Sequence, residues 1–538
     1  MREILEYYLD NADQVLIHQN ELSFEFGNYL ISYSFSNDNI LNEEDEFFSF
    51  NVVNDVKIIE ELLRRDIKFL SYEIKGLENL GCREDVEDVR SVSCEMFFFI
   101  KKIKLFNEEL LGSFSLDTVF SDPMCDKYGT YQFTIKINKG YFWDLDFSKY
   151  VIDLFKLNTL KTPSFYSFFF KENISIYDSK EIPVLTTNTK VRRLGYFKIL
   201  SNFFKEFKKT PSVFINKKFE KFCLDYKDSL EKNSFTKGLI KETKSGISAK
   251  PYLDTAVELK LMSKINNAFH IGKAFKVYEV LQKKYSLSSN IFELSDFDKM
   301  YFLENILRND YFYFSNLIEI IFIEENVTYA FLVNKYQGQL ISRLKEYKES
   351  DLLIKRKSLN NLEAILKRIK SWEKPDVYLE HLIMPRINWM LDLEILSEKN
   401  KVYTMTEIGV RLFNNLSIWN DLNTNKIISP NSFLDRFMIH LYHNCYNSTE
   451  NQKSCDLNFI LDRMHGYIKQ SFGVFKTLAP NRVTVSQAVN YTKYMLYLND
   501  NITVGYQFIL NKLSEKEQDI FIFKYQEQYR DGYIQLKK

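Results

Sequence analysis

Apolar and polar positions change period along the chain. Leu22–Phe26 and Tyr29–Phe35 alternate in twos about Gly27-Asn28, the pattern of a β-hairpin. Lys68–Ile74 and Tyr131–Ile137 alternate in the same way, and Cys94–Ile103 reads as a buried strand. Val56–Arg65 instead places Ile58, Ile59, Leu62 and Leu63 on one face, as a helix does. Beyond about residue 150 the helical period takes over. Leu194–Lys209 interleaves aromatic residues with lysines at helical spacing, and Thr210-Pro211-Ser212 stops it and starts another helix. The expected fold class is α+β: an N-terminal mixed α/β domain followed by a mainly helical body.

The helical body contains a repeat with an offset of 134 residues. Pro251–Ile271 and Pro385–Met405 share Pro251/Pro385, Leu259/Leu393, Ser263/Ser397 and Asn266/Asn400, with conservative matches such as Leu253/Ile387, Leu261/Ile395 and Phe269/Tyr403. In each copy a proline is placed to open a helix, where its missing N–H costs nothing. A hairpin follows: Met262–Ile265 with Ala268–Ile271, and Leu396–Glu398 with Val402–Met405. Its polar turns, Asn266-Asn267 and Lys399-Asn400-Lys401, suit tight hairpins. The preceding helix is placed at Phe235–Thr243 in copy one, with a turn at Ser245-Gly246. In copy two it is placed at Leu359–Trp372 or Val377–Met384. A third unit closes the chain, with helices at Thr484–Leu498 and Val504–Leu513 and a hairpin of Ile520–Tyr525 with Gly532–Leu536. Ser295 or Asp296 is suited to cap a helix between the copies.

Helix, helix and two-stranded wing resemble the winged-helix modules of prokaryotic DNA-binding proteins. Copy two resembles them best, because Tyr403–Gly409 matches their ending of a strand followed by a capped helix. The resemblance implies two or three winged helices and four regions: an acidic α+β domain (1–150), a basic segment with the first winged helix (151–285), a helical spacer with the second (286–420), and a helical segment with a third (421–538).

Charge sharpens this picture. The 538 residues carry 72 basic and 72 acidic side chains, but residues 1–100 hold 8 basic against 22 acidic, and residues 151–250 hold 20 against 10. The basic stretch includes Lys205, Lys208, Lys209, Lys217, Lys218, Lys221, Lys237, Lys241, Lys244 and Lys250. Such a cluster suits phosphate contacts. A helix-turn-helix would direct Lys250, Tyr252 and Asp254 of copy one, and Arg386 and Asn388 of copy two, toward base edges; Arg pairs with guanine and Asn with adenine. Trp389 reads as core. The residues expected to bind DNA are therefore Lys237, Lys241, Lys244, Lys250, Tyr252, Arg386 and Asn388.

Two further constellations are weaker. His440, His443, Cys445 and Cys455 are zinc-ligand types, but their spacing fits no definite zinc motif. Asp55 or Asp66 followed by Glu73-Ile74-Lys75 approaches the carboxylate–lysine set of a metal-dependent nuclease. Phosphate-binding loops, dinucleotide-binding turns, nucleophile elbows and zincin helices are missing from the sequence. The six cysteines form no CxxC pair, no apolar run approaches the ~20 residues of a membrane helix, and the N-terminus carries no apolar signal region. The expectation is a cytoplasmic, non-enzymatic protein without a cofactor. It would bind double-stranded DNA, with protein partners from a multi-gene system, in antiviral defence, restriction or mobile-element maintenance. A metal-dependent nuclease with winged-helix recognition domains is one alternative; an assembly subunit using winged helices for protein contacts is the other.

Overall fold

The two-residue alternation folds into one antiparallel sheet. α1 (Arg2–Asn11) leads into β1 (Gln14–His18), β2 (Glu21–Phe26), β3 (Tyr29–Phe35), β4 (Asn51–Val52), β5 (Phe69–Leu80), β6 (Leu111–Ser121) and β7 (Gly129–Ile137), followed by α2 (Leu145–Asn158). The strand order is β4-β1-β2-β3-β5-β7-β6. The computed structural model describes residues 2–18, 21–27, 29–36, 51–52, 68–80, 103, 107–121, 129–158, 183–185, 191–207, 210–228, 240–286, 290–324, 326–349, 356–372, 375–417, 430–447, 457–475, 481–515, 520–526 and 531–537. The expected helix Val56–Arg65, and residues 94–102 of the strand expected at Cys94–Ile103, lie outside them. Two compact units are present: Met1–Ile174 with Asn423–Lys426, and Ser175–Leu422 with Ile427–Lys538.

In the first unit, register alone separates the two faces of the sheet. Phe24, Ile31, Ile74 and Ile135 are cross-strand neighbours, as are Leu22, Tyr33, Tyr72 and Ile137. All eight are buried. Tyr8 of α1 and Phe155 of α2 pack rings onto this face, against Phe24 and Tyr29. The intervening positions, among them Ser23, Ser32, Glu73 and Lys136, occupy the opposite face.

The second unit contains one arrangement three times: helix, short strand, helices, hairpin. Module one runs α3 (Gly195–Glu206), β8 (Thr210–Pro211), α4 (Ser212–Leu224), α5 (Lys250–Glu258), β9 (Met262–Ile265) and β10 (Ala268–Ile271). After α6 (Lys273–Tyr285), module two runs α7 (Asp296–Glu324), β11 (Val327–Thr328), α8 (Tyr329–Glu349), α9 (Arg356–Lys370), α10 (Pro375–Asp392), β12 (Leu396–Lys399) and β13 (Val402–Met405). After α11 (Glu407–Ser417) and α12 (Pro430–Tyr446), module three runs α13 (Leu457–Val474), β14 (Arg482–Thr484), α14 (Val485–Asp500), α15 (Tyr506–Ser514), β15 (Phe521–Gln526) and β16 (Asp531–Leu536). In every module the short strand pairs with the second strand of the hairpin, giving β8-β10-β9, β11-β13-β12 and β14-β16-β15.

The 134-residue repeat holds at the level of single backbone bonds. Lys260 and Glu394 both end their helices at positive φ, 57° and 59°. The next residue donates back into the helix in each case, Leu261 N to Ala256 O at 2.9 Å and Ile395 N to Met390 O at 2.8 Å. Asn266-Asn267 and Asn400-Lys401 all take positive φ, as the two-residue turns of such hairpins require. Gly272 N donates to Leu261 O, and Thr406 N donates to Ile395 O.

Two expected helices are corrected. Residues 240–243 are not helical, and 235–239 lie outside the described residues; among the described residues α4 and the helical pair Lys227-Asp228 precede α5. Pro385 does not open a helix but lies inside α10, which starts at Pro375. Pro375 is the proline whose missing N–H falls where no intrahelical partner exists. Val377–Met384 is therefore part of α10 rather than a separate helix.

α7 is the axis of the second unit. It buries 24 of its 29 residues and breaks helical geometry at Asp310, with φ −135° and ψ 25°. Ser295 caps it: Ser295 Oγ accepts from Asp298 N at 3.2 Å, and Asp298 Oδ2 accepts from Ser295 N at 2.9 Å. Four of its carboxylates meet cations from four other helices. Asp298 pairs with Lys198 of α3 at 2.7 Å, Glu304 with Lys493 of α14 at 2.7 Å, Asp310 with Arg386 of α10 at 2.6 Å, and Glu319 with Arg343 of α8 at 3.3 Å. Among the described residues, no helix is long and apolar enough to cross a membrane.

Burial opposes the charge on Glu304, but Lys493 and Arg308 outweigh it and hold its carboxyl down at about 2. That value lies below the ordinary one, so the contribution of Glu304 to stability is complete above about pH 4.5 and is lost as pH falls toward 2. Lys493→Met should leave Glu304 buried without its main counter-charge and lower stability by about 3–5 kcal/mol at pH 7. Urea melts of both proteins at pH 7 and at pH 3 should show the gap narrowing at the acid end.

Candidate nucleic-acid interface

α4 turns Ile215, Phe219 and Cys223 inward, and all three are buried. Glu220 lies on the same inner side and has no exposed surface. A buried carboxylate must be satisfied by donors, and the turn into α5 supplies them. Glu220 accepts from Thr243 N at 2.7 Å and Thr243 Oγ1 at 3.0 Å, then from Ser248 N at 2.8 Å and Ala249 N at 3.2 Å. The last two are N–H groups at the start of α5, where donors lack helical partners and negative charge is favoured.

The rest of the turn is held as closely. Lys241 N donates to Ser248 Oγ at 3.0 Å, Ile247 N to Thr243 Oγ1 at 3.1 Å, and Ile240 N to the Tyr196 hydroxyl at 2.8 Å. Gly246 has φ +74°, and a Cβ there would lie 2.7 Å from Asn216 Cβ and 2.8 Å from Lys217 N. Only glycine lets the turn approach α4 so closely while keeping that backbone conformation. Residues 240–249 form a turn clamped onto α4.

Outside this clamp the surface is basic. Lys217, Lys218 and Lys221 of α4, Lys241 and Lys244 of the turn, and Lys250 at the start of α5 are exposed. Glu242 and Asp225 are exposed carboxylates among them. On the hairpin, Lys264, Ile265, Asn266 and Asn267 are exposed, with Lys264 over the Phe269 ring at 5.7 Å. Cations fixed on a helix, a rigid turn and a hairpin can meet a polyanion without first ordering a loop.

Several residues expected at the DNA surface lie elsewhere. Tyr252 is 3% exposed and packs its ring against Tyr196 at 4.6 Å. Arg386 is fully buried: Nε and Nη2 donate to Asp310 at 2.6 and 2.8 Å, and Nη1 donates to Leu382 O at 2.7 Å. Its guanidinium lies over the rings of Tyr313 and Trp389, at 5.0 and 5.7 Å. Asn388 is buried, and its amide donates to Met384 O at 2.6 Å. Tyr252 faces the core from the first turn of α5, whereas the corrections for Arg386 and Asn388 follow from the start of α10. Placing it at Pro385 put Arg386 and Asn388 in an open first turn, whereas both belong to the enclosed end of α10. Trp389 is core, as expected, with Nε1 donating to Val191 O at 3.1 Å. Lys205 is tied to Asn202 and Gln282, at 2.8 and 3.3 Å. Lys208, Lys209 and Lys237 lie outside the described residues.

The other two constellations lie only partly within the described residues. His443 is buried with Nδ1 3.4 Å from the Tyr497 hydroxyl, and burial pushes the Cys445 thiol well above its ordinary value, keeping it protonated. Burial, with His443 beside it, lowers the His440 imidazole to about 4. Cys455 lies outside the described residues, and no group of three potential metal ligands occurs among the described ones. Glu73 is paired with Lys136 at 3.3 Å and lies 3.7 Å from Lys75, which pairs with Glu21 at 2.5 Å; Asp55 and Asp66 lie outside the described residues. No family model, curated protein or solved structure matches the chain.

Glu220 and Gly246 were the positions of this candidate interface hardest to read from sequence. The available signal was a carboxylate on the apolar stripe of α4, next to Phe219. Glu220→Ala should strand three N–H donors and the Thr243 hydroxyl, and destabilise the protein by about 3 kcal/mol or more. Gly246→Ala should cost about 1–3 kcal/mol through backbone strain and the clash with Asn216. Denaturant melts measure both, and an unchanged midpoint in either variant would contradict the clamp.

Proposed function

We propose that the chain is a DNA-binding protein and that module one is a winged helix gripping double-stranded DNA. α4, the clamped turn and α5 serve as the helix-turn-helix, and the β9–β10 hairpin as the wing. The observation that carries this reading is the grouping of exposed Lys217, Lys241, Lys244 and Lys250 on elements held rigid by Glu220. In such modules the start of the second helix approaches base edges while flanking cations meet phosphates.

Module two repeats the arrangement with the same positions of its last helix facing inward and the remaining positions of that stretch covered as well. Arg386, Asn388 and Trp389 of α10 are buried in the unit's core, so this module serves as a scaffold. Module three is a further candidate surface. Its exposed Lys524 and Arg482 lie over the Tyr533 ring, at 5.9 and 4.4 Å. A role in antiviral defence, restriction or mobile-element maintenance is compatible with such a protein.

Affinity for duplex DNA should fall steeply with salt, by about 0.9 in log–log slope for each phosphate neutralised. Replacing Lys241 and Lys244 by Glu should weaken binding on every sequence and flatten the slope by roughly two units. Fluorescence anisotropy at several salt concentrations reads both quantities. Equal affinity and slope in the variant would remove module one from the interface.

A further inference from the structure

Ile247 is 67% exposed, more than any other large hydrophobic residue among the described ones. Its backbone is nevertheless fixed. Its own N–H is held by Thr243 Oγ1, the next two N–H groups by Glu220, and Gly246 before it is packed against α4. A β-branched side chain on a fixed backbone has few rotamers to lose on binding. Isoleucine is thus presented outward on a fixed backbone.

Its surroundings point to the occupant. Lys241, Lys244 and Lys250 are exposed on either side of Ile247 in sequence, so a partner must offer negative charge around an apolar group. Ile247 lies in the turn just before α5 begins at Lys250, and in that helix Tyr252, Leu253, Thr255 and Ala256 face the core. Ile247 therefore stands beside the start of α5, and the start of a recognition helix is the end that approaches base edges most closely. The major groove offers one apolar group, the C5-methyl of thymine, framed by phosphates.

We infer that Ile247 is a specificity-determining residue that selects thymine in the major groove by contact with its 5-methyl group. The inference rests on the DNA-binding reading of module one. Burying one methyl group against an apolar side chain corresponds to about a threefold to fivefold change in affinity.

The test uses the full chain and two duplexes of alternating A and T, identical except that uracil replaces thymine in one. Wild type should bind the thymine duplex about threefold to fivefold more tightly. Ile247→Ala should bring the ratio close to one, and Ile247→Val should keep most of it. Phe214→Ala, which removes another exposed apolar side chain of module one, should leave the ratio unchanged. Thermal melts of the variants should match wild type, since both positions are exposed. A wild-type ratio near one with DNA binding intact would overturn the role of Ile247 and leave the DNA reading standing. So would a ratio equally large in Ile247→Ala, because the methyl would then be sensed elsewhere. Failure to bind either duplex at low salt would overturn both.

Discussion

Four buried carboxylates on one helix hold the second unit together. Asp298, Glu304, Asp310 and Glu319 are enclosed with the apolar residues of α7, where an unpaired charge costs several kcal/mol. Each is tolerated only where another helix delivers a cation, and the four cations come from α3, α14, α10 and α8. Hydrophobic burial alone would allow these helices to slide along α7. Matching each carboxylate to its own lysine or arginine fixes their heights, and so the placement of all three modules. Asp298 shows how fully such a site is satisfied, accepting from Lys198, Tyr278, Ser286 and Ser295.

Around that axis the same local arrangement serves different ends. The last helix of module one keeps an outward stripe because its buried positions, Tyr252, Leu253 and Ala256, occupy one side only. The corresponding helix of module two is enclosed over its second half, and its arginine answers Asp310 rather than solvent. α15 of module three is docked by its start: a Cβ at Gly505 would lie 2.1 Å from Arg436 O of α12. How fully neighbouring elements enclose that helix is what differs between modules one and two.

The interface of module one gains its character from an internal charge. Glu220 is surrounded on the outside by lysines, yet it is spent on the backbone of the turn rather than on those cations. The lysines therefore remain directed outward, and the turn that carries two of them is rigid. On the proposed DNA-binding reading, the rigid turn sets this basic surface apart from an ordinary solvated helix face.

How much of this was legible in the sequence depends on the range of the interaction. The β2–β3 hairpin, the β9–β10 and β12–β13 hairpins, the closing helices and their hairpin, and the 134-residue repeat were all readable, because turn chemistry and periodicity act over a few residues. The lysines of module one were legible as a cluster, although not the clamp beneath them. Arg386 was misread because its fate depends on Asp310, 76 positions away, and on a helix that starts at Pro375. Glu220 was missed because its partners lie 23 to 29 residues further on, beyond the reach of helical or strand periodicity. Sequence by itself determined the local elements and which residues could carry charge. Only the tertiary structure decided which charges were buried, because desolvation depends on the groups that long-range folding brings together.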